Sequence, residues 1–223
     1  WSRLRAGAAF FAPVDIASLV FFRIGLGGFL AWWAWDYLAS GRVRYYYVEP
    51  QFHFTWRGFD WVQPWPGIGM YVHFVALAIL GLAIAAGCFY RAACVLFGLG
   101  FLYVFLLDAT NYQNHYYLLL LLVGVMAVVP ANRAVSVDAA WRLAEPSQVA
   151  PRWCLWLVRF HVALPYVFGG LAKLDGDWLS GLPMRQLLVP AVAWPVVGEW
   201  LGSREAALGF AWGGLVFDLV IVP

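Results

Sequence analysis

Apolar residues in this chain come in long runs, not in alternation. Six runs approach the roughly 20 residues that carry a helix across a bilayer: Ile16–Leu38, Ile68–Cys88, Ala92–Leu107, Tyr112–Val129, Trp153–Ala172 and Ala206–Val222. Each predicts a transmembrane helix. The third and fourth are short and are joined by a tight polar turn, so their ends are the least sharply marked. Asp15, just before the first run, reads as a helix N-cap. A seventh apolar stretch, Leu187–Leu201, is broken by Pro190 and Pro195. It predicts a re-entrant or interfacial helix instead of a span. The expected fold class is all-α: one domain over residues 1–223, a polytopic transmembrane helical bundle of about six spans plus that broken helix.

Composition strengthens the membrane assignment. Hydrophobic residues make up 64% of the chain and charged residues 12%, against about 45–50% and 25% in soluble domains. Membrane lipid is therefore the first expected partner. A net charge of +2 gives no basis for nucleic acid as a partner. Cys88, Cys94 and Cys154 are odd in number and lie in or beside apolar runs. They form neither a disulfide framework nor a zinc motif, and no metal is expected. Fourteen Trp and eleven Tyr suit the two membrane interfaces. Trp1–Arg5 lacks the pattern of a cleavable signal. The chain has no initiator Met and stops inside an apolar run, so it reads as a fragment of a longer protein lacking a C-terminal domain. Heavy Arg, Ala, Gly and Trp usage points to a bacterial source.

Six alternating spans put the N-terminus, Arg91 and the loop 131–152 on one side. The segment 39–67, the turn 108–115 and the segment 173–205 fall on the other. Basic residues outside the spans divide evenly: Arg3, Arg5, Arg91, Arg133, Arg142 and Arg152 against Arg42, Arg44, Arg57, Lys173, Arg185 and Arg204. Short flanks alone favour the first side as cytoplasmic.

Ionisable groups inside spans are costly and are usually paired or functional. Arg23 and Asp36 fall in the first span, Arg159 and His161 in the fifth, and Asp218 in the last. Arg23, Asp36, Arg159 and Asp218 read as structural polar residues. Arg159 lies 14 residues before Lys173, roughly 21 Å along a helix, so the two cannot share a site. The expected partner of Arg159 is Asp218 or Asp36. His161 and His73 read as packed helix residues. The turn Asp108–His115 gathers an acid, three amides, two hydroxyls and an imidazole between apolar runs. Asp108 and Asn111 suit capping. His115, at the start of an apolar helix, stays open between a structural role and proton chemistry.

Among fourteen basic side chains only Lys173 is a lysine. Unlike arginine, lysine can surrender its proton in a dry pocket and act as a base. Gly169, Gly170 and Ala172 would let a flat ring approach that helix end. Asp175 and Asp177 stand close in sequence; a base role requires both to turn away. Arg57, Phe59, Trp61 and the turn Pro64–Gly67 are open between interfacial anchoring and lining a quinone or peptide pocket. Arg42 and Arg44 read as an ordinary membrane-surface flank.

Several segments in order carry a family resemblance. Tyr103–Asp108, with Asn114-His115 and Tyr117-Leu118, resembles the signature turn of the vitamin K-dependent γ-glutamyl carboxylase family, whose membrane part is the HTTM domain. Asp15–Leu19 with Phe22-Arg23 is similar to its opening, and Tyr90-Arg91 with Cys94–Phe97 to its third helix. Ser136–Asp138 follows the fourth helix as in the family. Lys173–Asp175 with Asp177, Trp178 and Gly181 resembles the segment bearing its base, and Asp218 has a counterpart. The resemblance implies catalytic roles for Lys173, as the base that deprotonates reduced vitamin K (phylloquinol or menaquinol), and for His115, in glutamate deprotonation. Asn114, Asp108, Trp178, Tyr112 and Arg57 are the implied substrate and quinone contacts. O2 and CO2 are the implied co-substrates. The products are γ-carboxyglutamate in a Glu-containing peptide or protein and the quinone 2,3-epoxide. The implied location is a bacterial inner membrane with a periplasmic active face, or the endoplasmic reticulum if the source is eukaryotic. Nothing in the chain resembles the large lumenal domain of the eukaryotic enzymes. The alternative is a non-carboxylating HTTM protein assisting maturation or export of a secreted peptide. A transporter is disfavoured, because no inverted repeat or matched pair of broken helices is present.

Overall fold

The computed structural model describes residues 9–221; the expectations on Arg3 and Arg5 lie outside the described residues. The chain forms two compact units, Trp1–Val158 and Arg159–Pro223.

The first unit is built on four helices: α1 (Ala17–Ala39), α2 (Gly69–Ala86), α3 (Tyr90–Leu107) and α4 (Asn114–Val128). They follow the predicted runs to within a few residues. Small side chains decide how α1 meets α2. A Cβ on Gly81 would stand 2.6 Å from the Ala31 nitrogen, and one on Gly27 2.8 Å from the Gly81 carbonyl oxygen. Only bare glycine backbone allows such an approach, a common device between helices in lipid. Gly87, at φ +65°, ends α2 in the left-handed region, where glycine carries no Cβ penalty.

The core of this unit is aromatic. Trp33 lies 5.0 Å from Phe101 and 5.7 Å from Tyr116, and Tyr37 stacks on Phe74 at 5.2 Å between ring centroids. Their polar ends find one another, as buried Trp and Tyr require. Trp33 Nε1 donates to the Tyr116 hydroxyl at 3.3 Å, and the Tyr37 and Tyr116 hydroxyls meet at 2.9 Å.

The loop after α4 is pinned by two buried charges. The fully buried Arg23 guanidinium donates to the carbonyls of Ala131 (2.9 Å), Ala134 (3.3 Å) and Val135 (2.6 Å). The Asp138 carboxylate accepts from Phe89 N (2.7 Å), Tyr90 N (3.0 Å) and Asn132 Nδ2 (2.7 Å). It thereby caps the N-terminus of α3 from a distant segment. Asp138 sits in the short helix α5 (Val137–Ala140), itself capped by Ser136. A small antiparallel ribbon pairs β1 (Pro13–Asp15) with β2 (Val149–Pro151). Three-residue strands carry no readable periodicity, so the sequence did not foretell it. The N-cap of α1 is Ile16, not Asp15 as expected; Asp15 ends β1, and its Oδ1 accepts from Ala17 N at 2.7 Å.

Helix α6 (Arg152–Ala172), with Pro165 inside it, runs across the division between the units. The second unit continues with α7 (Gly176–Leu179), α8 (Leu182–Leu188), a 3₁₀ turn (Val189–Ala193), α9 (Gly198–Leu201) and α10 (Arg204–Val220). The stretch Leu187–Leu201 is divided into short pieces, as its prolines predict. Gly170 lets α6 lie close to α10: a Cβ there would stand 2.7 Å from Leu219 Cδ2.

Four helices, α1, α2, α3 and α6, are long and apolar enough to cross a membrane. Of the six expected spans, α4 is apolar but only 15 residues long, and α10 has 17 residues.

Candidate functional site

Lys173 follows the last residue of α6. Its amide bonds to the carbonyls of Gly169 (3.2 Å) and Gly170 (3.1 Å), which fixes the helix end. The side chain turns toward α10, where Nζ donates to Asp218 Oδ2 in an ion pair. The two side chains are 21% and 15% exposed. The ammonium also lies 5.0 Å from the centroid of the Trp178 ring, within cation–π range. Trp178 is itself fixed, because its Nε1 donates to the Ala211 carbonyl at 2.8 Å.

Two glycines lie directly against this group. A Cβ on Gly169 would reach 3.1 Å from Asp218 Oδ2 and 3.7 Å from Lys173 Nζ. One on Gly214 would reach 3.8 Å from Trp178 Cζ2 and 4.0 Å from Lys173 Cε. The two neighbouring acids are turned to other work or to solvent. Asp175 caps α7, accepting from Trp178 N at 2.8 Å, and Asp177 is exposed. The carboxylate that meets the lysine is thus Asp218, 45 residues away.

The expected pairing of Arg159 with Asp218 or Asp36 is corrected accordingly. Asp218 is held by Lys173, and Asp36 is held by Arg42 at 2.5 Å. Arg159 is exposed and makes no ion pair among the described residues. The physical reason for Asp36 is proximity: it sits in the last turns of α1, within reach of the chain that leaves the helix. Arg42 also lies over the Tyr37 ring at 5.1 Å, and Arg44 bonds Glu49 at 2.8 Å. This flank is more tied down than a plain surface stretch.

The polar turn lies in the first unit. Asp108 is buried; its Oδ1 accepts from Thr110 N (2.9 Å) and Thr110 Oγ1 (2.7 Å), capping the 3₁₀ turn Ala109–Asn111. The capping expectation therefore describes what Asp108 does locally. Asn114 and His115 form the exposed first turn of α4, with the imidazole 4.7 Å from the Tyr116 ring. Tyr112 packs edge-on against Trp56 (5.9 Å) and Phe105 (5.7 Å). A cleft of about 420 Å³ opens beside the turn, lined by Tyr45, Tyr46, Glu49, Pro50, Asp108, Thr110 and Asn111. Beneath it Tyr47 is buried; burial, then Tyr116 and Asp108, push its phenol above the ordinary range. Arg57 is exposed.

Trp178 and Lys173, named from one segment of the sequence, lie beside each other. Sequence reasoning missed Asp218 as the lysine's partner, because a 45-residue separation leaves no local pattern. It also missed the Asn132–Asp138 clamp. The one legible hint there was Ser136, an N-cap residue followed at once by an acid.

The family model of the HTTM domain matches residues 11–223. No solved structure matches the chain. Nearly the whole described chain lies within that match, and four of its helices are built to cross a bilayer. This is therefore a membrane protein, and it belongs to the HTTM domain family.

Proposed function

We propose that this chain is a membrane-embedded vitamin K-dependent γ-glutamyl carboxylase-like enzyme. It would couple oxygenation of a reduced naphthoquinone to deprotonation and carboxylation of peptide glutamate, with Lys173 as the base that begins the cycle. The HTTM family includes vitamin K-dependent carboxylases. One arrangement supports the assignment: the only lysine of the chain stands partly buried against an aromatic face, Trp178, while its partner Asp218 favours the ammonium form, so the base role requires the pair to open or the proton to pass to that carboxylate. Gly169 and Gly214 add no side chain of their own beside this group. On this reading the hydroxyl of a flat aromatic diol meets the amine while its ring faces the indole.

The protein's own work follows from these positions. Lys173 Nζ, once neutral, takes the proton of the bound hydroxyl. Asp218 aims the amine and holds the ammonium that results. Trp178 shields the amine from water on one side. A bound reduced naphthoquinone, phylloquinol or menaquinol, supplies with O2 the strong base that glutamate deprotonation demands, and CO2 supplies the carbon. His115 is assigned to glutamate deprotonation, and Asn114, Asp108, Tyr112 and Arg57 to substrate contact around the turn. The substrate is a Glu-containing peptide or protein, reached from the periplasmic face of a bacterial inner membrane.

The test uses full-length protein in lipid nanodiscs with reduced menaquinone, oxygen, labelled bicarbonate and a Glu-rich peptide. Label enters the peptide. Lys173→Ala lowers fixation at least about a hundredfold, as loss of a general base does. Lys173→Arg is the sharper variant. It keeps the charge and a partner for Asp218, so the fold is retained, but arginine does not give up its proton. Fixation by Lys173→Arg at the parental rate would overturn the base role.

One observation favours a second function. An ammonium held by a carboxylate is also the expected form of a structural pair. A non-carboxylating HTTM protein that assists maturation or export of a secreted peptide would fix no label, and Lys173→Arg would leave export intact.

A further inference from the structure

At the end of the first unit where α3 begins, a cleft of about 440 Å³ opens between the α2–α3 connection and the loop after α4. Its charged lining is Arg91, Arg133, Glu145 and Asp138. Asp138 is turned to the chain itself: its oxygens accept from two backbone amides and Asn132. Neither Arg91 nor Arg133 forms an ion pair among the described residues. The charged lining groups balance, but the two guanidiniums have only Glu145 as a carboxylate not otherwise engaged, and both can turn to a ligand.

The walls are rigid. The loop side is anchored by Arg23 through three carbonyls, and the α3 side by Asp138. The rim is apolar and exposed, with Phe89 at 63% and Leu143 at 57%. Position supplies the last element. Arg91 is the second residue of an apolar helix long enough to span, which puts the cleft at the depth of lipid headgroups. Arginine forks match phosphate oxygens in pairs, and basic pockets at the ends of transmembrane helices hold anionic headgroups.

We propose that this cleft binds a phosphate group, with Arg91 and Arg133 gripping its oxygens and Phe89 and Leu143 flanking the apolar part of the molecule that carries it. The chemistry is that of an anionic phospholipid headgroup or of a free phosphate. The site does not depend on the carboxylase assignment.

Native mass spectrometry of the protein released from phosphatidylglycerol or phosphatidylcholine nanodiscs decides the matter, with inorganic phosphate in neutral detergent as the second arm. The expected result is retained phosphatidylglycerol, reduced about tenfold, which is about 1.4 kcal/mol, by Arg91→Gln with Arg133→Gln. The paired Lys variants restore part of it, and Arg142→Gln, outside the lining, changes nothing. A thermal upshift with inorganic phosphate, lost in the same Gln variants and without lipid preference, assigns the site to a soluble phosphate. Should the double variant destabilise the protein, the single Arg91→Gln and Arg133→Gln proteins carry the comparison. Equal retention of every phosphate-bearing ligand by parent and Gln variants overturns the proposal.

Discussion

Two ionic side chains show how a membrane protein decides the cost of a buried charge. Arg23 is fully buried yet meets no carboxylate directly; its donors are spent on three backbone carbonyls, and its Nε has no partner among the described residues. Lys173 takes the other course and pairs with Asp218. The sequence marked all three residues as anomalous but could not say which joins which, because partners chosen across 45 or more than 100 residues leave no local trace. The two solutions fail differently. Arg23→Met strips three carbonyls of their donors and costs about 3 kcal/mol or more, read as a lower melting temperature in detergent. Asp218→Ala leaves a partly buried ammonium unpaired and costs roughly 1–3 kcal/mol, whereas Lys173→Met with Asp218→Leu together recovers most of the loss. A double variant no more stable than Asp218→Ala would show that the pair does not set the stability of that unit.

Helices were the legible part of this fold. Apolar runs located α1, α2, α3, α4, α6 and α10 to within a few residues, because lipid demands length and apolarity and both can be read from composition. What lipid does not demand was not legible: the ribbon of β1 with β2, and the loop held by Arg23 and Asp138. Close helix packing lies between these cases. Gly27 and Gly81 stood in apolar runs like several other glycines, and only the structure shows that both sit where α1 and α2 touch, Gly27 against Ala85 and Gly81 against Ala31. Gly28, on the same helix, has nothing within 4 Å of a Cβ. Gly81→Val must therefore drive the helices apart and destabilise by about 2–3 kcal/mol, while Gly28→Ala is neutral or slightly stabilising through helix propensity. Thermal melting of both variants in one detergent makes the comparison. Equal melting temperatures would remove the close approach as a determinant.

At the scale of the whole molecule the open question is how a 15-residue helix crosses a bilayer. At about 1.5 Å per residue α4 is roughly 22 Å long, short of a hydrocarbon layer of about 30 Å. Its neighbour argues that it crosses nonetheless. The Tyr90 hydroxyl, at the start of α3, donates to the Met126 carbonyl near the end of α4 at 2.7 Å. Near the middle, a Cβ on Gly98 would stand 3.5 Å from Val123. The two helices are therefore antiparallel and cover the same depth, and α3 is long and apolar enough to span. The mismatch is met by polar ends that reach for the interface and by local thinning of the bilayer. Exposed Gln113 and Glu145 bracket α4 and the loop beyond it, so they belong on opposite faces of the membrane. With the native cysteines replaced, Gln113→Cys and Glu145→Cys should react with an impermeant maleimide from opposite sides of sealed vesicles. Labelling of both from one side would make α4 a re-entrant helix and reverse the side assigned to everything after it.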